Sequence, residues 1–102
     1  MHYVICYDLE NDRLREKVAK VLQRHGCNRV QKSVFFAANM NTKHLEKLKS
    51  AALGLFTKGK LSPQDTLLFI PLPDECARMA TVFGSANNLL AASTELPSKI
   101  ML

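Results

Sequence analysis

The residues best equipped for chemistry lie in the first third of the chain. Asp8 stands at the end of an apolar run, where its carboxylate is a hard oxygen ligand of the kind Mg²⁺ accepts. A metal held there would polarise a phosphoryl oxygen or activate water for phosphodiester hydrolysis. A second role is open to the same residue, accepting backbone hydrogen bonds in the turn before the following helix. Asp12 fits either a place beside such a metal or a helix cap, and Glu10 fits solvent. Arg13, Arg15, Arg29 and Lys32 are the candidate phosphate contacts, since arginine forks two hydrogen bonds onto one phosphate. Such contacts position a duplex without reading its sequence. Phe35 fits the core or a subunit interface, and only secondarily a base-stacking platform. His2, His25 and His44 have no catalytic partner at a recognisable spacing. The four glycines are too scattered for a phosphate-binding loop.

Charge supports a phosphate-bearing partner. The 102 residues carry a net charge of +5. The first twelve hold three acids and no Lys or Arg, whereas residues 13–60 hold twelve Lys or Arg against Glu16 and Glu46. A basic middle beside a small acidic cluster is an electrostatic footprint for nucleic acid. With 7% aromatic residues and no Trp, binding of single strands mainly by stacking is disfavoured. Cys6, Cys27 and Cys76 have no metal or redox spacing and read as small hydrophobes in a reducing cytoplasm. No apolar run approaches the length of a membrane span, and the opening residues read as a strand and not as a secretion signal.

These side chains need a scaffold, and the hydrophobic pattern predicts one. Residues 2–9 suit a buried strand. Residues 13–25 have apolar positions at helical spacing with a basic opposite face, after Asn11 or Asp12 as cap and before Gly26 as left-handed stop. Residues 28–37 alternate as one strand whose polar residues protrude at an edge or interface. A second helix follows Asn41 or Thr42 and runs to about Phe56. A turn at Ser62-Pro63-Gln64-Asp65 leads to a strand over residues 66–72, with Pro71 near its end. Residues 74–78 form a helical turn and 79–83 a short strand. Two helices over a small antiparallel sheet make an α+β two-layer sandwich.

The succession Tyr3-Val4-Ile5-Cys6-Tyr7-Asp8, Asn11-Asp12-Arg13-Leu14-Arg15, Gly26 and Arg29-Val30-Gln31-Lys32-Ser33-Val34-Phe35 resembles the opening of the second-Cas family of CRISPR-associated proteins. Residues 66–72, Cys76 and Val82-Phe83-Gly84 resemble its later part. Two positions depart from the pattern. Phe36 stands where an acid often follows, and Leu14 interrupts the usually basic helix start. The resemblance implies a ferredoxin-like domain over residues 1–84. The composition of 85–102, too irregular for a helix and too apolar for a plain solvated linker, reads as a C-terminal strand or arm for docking. The resemblance implies a homodimer that binds duplex DNA or RNA and bridges dimers of the CRISPR integrase during spacer acquisition. It also implies a Mg²⁺-dependent endonuclease, with Asp8 from both subunits as catalytic and metal-binding residue.

Overall fold

In a computed structural model, residues 1–58 and 61–84 are described, together with the backbone of 99–101. The elements run β1 (His2–Asp8), α1 (Asp12–Arg24), β2 (Asn28–Gln31), β3 (Val34–Ala37), α2 (Thr42–Lys58), β4 (Thr66–Leu72), α3 (Asp74–Arg78), β5 (Thr81–Phe83) and β6 (Lys99–Met101). The four-stranded sheet has the order β2-β3-β1-β4 with every neighbouring pair antiparallel. This βαββαβ sequence with its crossed strand order is the ferredoxin-like sandwich that the pattern implies. β5 and β6 form a separate parallel pair.

Local chemistry explains the boundaries. The Asn11 side chain caps α1 by accepting from the Leu14 N–H at 3.0 Å. Gly26, at φ 84°, stops that helix in the left-handed region open to glycine. Asn41 caps α2 by accepting from the His44 N–H at 2.7 Å. Pro71 lies near the end of β4, an edge strand, where a missing N–H is tolerated.

One expectation fails. Residues 28–37 are two strands and not one. They fold back at Lys32-Ser33, with Gln31 opposite Val34 and the register shifting between Arg29 and Gln31. Neither turn residue has positive φ, so the glycine or asparagine that usually marks a two-residue hairpin is missing. The mixed faces of the imagined single strand come from joining an edge strand to an interior one.

The core lies between the two helices and one face of the sheet. Ile5, Val18, Leu22, Phe35 and Leu48 are fully buried there, each contributing about 1.5–3 kcal/mol of hydrophobic stabilisation. On the opposite face a smaller cluster joins Phe36 and Ala77 beneath α3. His2, also fully buried, fastens this end. Its Nδ1 accepts from the Asn39 N–H at 3.0 Å. Its Nε2 lies 2.6 Å from Asp74 Oδ1, off the line of a well-formed hydrogen bond.

Cys27 is buried beside the core, and burial pushes its thiol up from an ordinary 9.0 to about 11. The folded thiol stays neutral where the unfolded one ionises. The stability it contributes is therefore complete below pH 9 and is lost as the pH rises to about 11. Urea unfolding across this range is expected to show that loss. Cys27→Ala should remove this component of the slope, and an identical slope in the variant would refute the assignment.

Candidate functional site

Strand alternation decides which way Asp8 points. Ile5 and Tyr7 face the helices and belong to the core, so Val4, Cys6 and Asp8 project from the other face. Cys6 stands opposite Val34 on one side and Leu68 on the other, Val4 opposite Phe36 and Ile70, and Asp8 opposite Thr66. α3 covers this face only toward the His2 end. Among the described residues nothing covers the face toward Asp8, and Leu68 is 52% and Ile70 44% exposed.

Asp8 itself is exposed. Among the described residues its carboxylate makes no hydrogen bond or ion pair. The structural role open to it in the turn is taken by other groups. Asn11 caps the helix. Arg15 donates from its Nη1 to the carbonyls of Leu9 at 2.7 Å and Glu10 at 3.3 Å, and its Nη2 pairs with Asp12. The Glu10 N–H donates to Asp65 Oδ1 at 3.0 Å. Asp12 is thus an ion-pair partner and not the cap.

The four basic candidates divide. Arg13 is exposed in the first turn of α1, and Arg29 and Lys32 are exposed on the β2–β3 hairpin. Arg15 is tied to the loop after Asp8. Arg29, Lys32 and Arg15 meet at an open concavity of about 270 Å³, which Tyr7, Ser33, Asp12 and Glu16 also line. This concavity takes in Tyr7 from the helix-facing side of β1, while Asp8 projects from the other side, so strand alternation separates the acid from these bases. Phe35 is a core residue and not an interface one. Its ring is fully buried between sheet and helices, 6.1 Å from that of Tyr7 and beneath the Arg29 guanidinium at 5.0 Å, which leaves no surface for a partner.

Sequence reasoning missed the reach of Asp65. Its turn was legible, but a contact spanning 55 positions leaves no local signature.

Residues 1–80 match the family described as CRISPR associated protein Cas2. The chain belongs to the Cas2 family. It is 35% identical over 79 residues to a CRISPR-associated endoribonuclease Cas2 of Methanospirillum hungatei, covering 78% of each chain. It is 31% identical over 85 residues to one from Archaeoglobus fulgidus, covering 83% of this chain and 85% of the relative. Among solved structures, a hypothetical protein from Thermus thermophilus superposes with a TM-score of 0.59 at 34% identity, over 71% of this chain and 80% of the other. The family match takes in β1, its terminal Asp8 and the four-stranded sheet.

Among the described residues no three His, Cys, Asp or Glu side chains converge on a point. None of the described helices is long and apolar enough to cross a membrane.

The two arginines of the α1 start should separate experimentally. Arg15→Ala removes two bonds to loop carbonyls and is expected to lower unfolding stability by about 1–2 kcal/mol. Arg13→Ala should change it by less than about 0.5 kcal/mol. Equal losses in urea unfolding would contradict the division.

Proposed function

We propose that two copies of this chain pair through the open faces of their sheets and cleave nucleic acid at the two Asp8 carboxylates. The observation that carries this reading is the placement of Asp8. It is an exposed, uncommitted acid at the end of an interior strand, beside the apolar strip of Cys6, Val34, Leu68 and Ile70. A strip of that kind is the usual signature of an interface, and a twofold axis across it would bring one surface patch against its own copy. Two Asp8 carboxylates near that axis would supply the hard oxygens that one chain lacks for Mg²⁺. Bound there, Mg²⁺ would supply Lewis-acid stabilisation of a reacting phosphodiester. The curated relatives are named endoribonucleases, which supports RNA as substrate. The three free cysteines support a reducing cytoplasm.

A second reading is favoured by the basic surface. Arg13, Arg29 and Lys32 are exposed and suited to backbone phosphates independently of any cleavage. This reading makes the dimer a scaffold that holds duplex DNA and bridges dimers of the CRISPR integrase during spacer acquisition. Residues 85–102, which apart from the backbone of β6 lie outside the described residues, would then be the docking element.

One variant in two assays distinguishes the readings. The wild-type protein should show the mass of two chains by light scattering at micromolar concentration. Asp8→Asn keeps shape and removes charge, and should reduce cleavage at least about a hundredfold while nucleic-acid binding persists. Unchanged cleavage would remove the nuclease reading. Spacer integration lost along with cleavage would argue against a purely scaffolding role.

Phosphate binding has its own test. Replacing Arg13, Arg29 and Lys32 together with Ala should flatten the dependence of log affinity on log salt by about 2–3, near 0.9 per lost phosphate contact. An unaltered slope for duplex DNA would refute this surface as the binding site.

A further inference from the structure

Asp8 is the last residue of β1, and the chain must pass from strand to helix across Leu9, Glu10 and Asn11. The direction of its carboxylate depends on how firmly that short passage is held. Leu9 anchors the passage on the core side, with 2% of its surface exposed. Arg15 holds the Leu9 and Glu10 carbonyls from within the same segment. The remaining hold comes from across the sheet.

Asp65 directly precedes Thr66, the residue paired with Asp8. Its Oδ1 accepts from the Glu10 N–H at 3.0 Å. A side-chain oxygen thereby stands where a backbone carbonyl would continue the β1–β4 ladder, one step beyond the point at which the strands part. Asp65 is itself fixed. Its Oδ2 accepts from the Ser62 N–H at 2.9 Å, and its own N–H donates to the Ser62 carbonyl at 3.0 Å. Both carboxylate oxygens are therefore engaged by backbone N–H groups, which suits Asp65 to holding a neighbour and not to binding metal.

We infer that Asp65 is the positioning residue for Asp8, extending the ladder past its end so that the acid is presented in one direction. This rests on reading Asp8 as the reacting carboxylate. A site assembled from two copies of one side chain tolerates little error, because misplacement in one protomer is repeated in the other.

The test uses the full-length protein, a single-stranded RNA substrate and Mg²⁺. Asp65→Ala should lower kcat about 10–100-fold, the scale found for groups that orient a metal ligand, with KM for the RNA unchanged within about twofold. Amide exchange at Glu10 should accelerate in the same variant. Asp65→Asn retains one oxygen for the Glu10 N–H while its NH2 is set against the Ser62 N–H, so its kcat should lie between those of Asp65→Ala and wild type, because positioning needs the acceptor and not the charge. Asp8→Asn is the reference. Cleavage lost in Asp8→Asn but retained in Asp65→Ala would overturn the positioning role alone. A fall in Asp65→Asn as deep as in Asp8→Asn would make Asp65 a charged ligand and overturn it as well. Cleavage unaffected by Asp8→Asn would overturn the nuclease reading and, with it, the reacting group that Asp65 is inferred to place.

Discussion

Strand β1 is hydrogen-bonded along both edges, to β3 on one side and to β4 over all seven of its residues on the other. Almost everything else follows from that double pairing. It fixes the register, and register fixes which residues face the helices. A shift by one position would send Ile5 and Tyr7 to the open face and bury Asp8 in the core. An isolated carboxylate in such surroundings is too costly to keep. The apolar core therefore selects the face on which the acid appears.

The same pairing separates the two kinds of chemistry. The acid stands on the open face and the bases gather on the helix side and the hairpin edge. Phe35 connects the two layers, with its ring in the core and the Arg29 guanidinium above it. A cation over a ring is held while its outer N–H groups remain free. Arg15 has gone the other way, since its donors are spent on the loop after β1. Side chains of the same type thus do different work, according to which groups lie within reach.

Much of this was legible from local signals. Gly26 and the apolar run at residues 66–72 act within a few positions of themselves and stand where the pattern puts them, and Asn11 and Asn41, each one of two cap candidates, are the ones that cap. The hairpin at Lys32-Ser33 was not legible, because neither residue takes the positive φ that would have called for glycine or asparagine. Asp8 was singled out by type and place, and the structure adds its face and its freedom from local bonds. Asp65 and the seating of His2 against Asn39 and Asp74 were beyond reach for one reason. They join segments that only the finished sheet brings together.

Contacts between such distant segments form late as the molecule is made. Asp8 leaves the ribosome early, yet its strand partner Thr66 and its neighbour Asp65 lie more than fifty residues downstream. At about 5–20 residues per second, several seconds of synthesis separate the acid from the groups that hold its surroundings. α1, and the β2–β3 hairpin with it, can form locally during that interval, whereas the β1–β4 ladder closes late because its contacts are far apart in sequence. A nascent fragment that already carries Asp8 and the basic helix cannot present the acid in its final setting. Any activity that depends on that setting is withheld until translation is nearly complete.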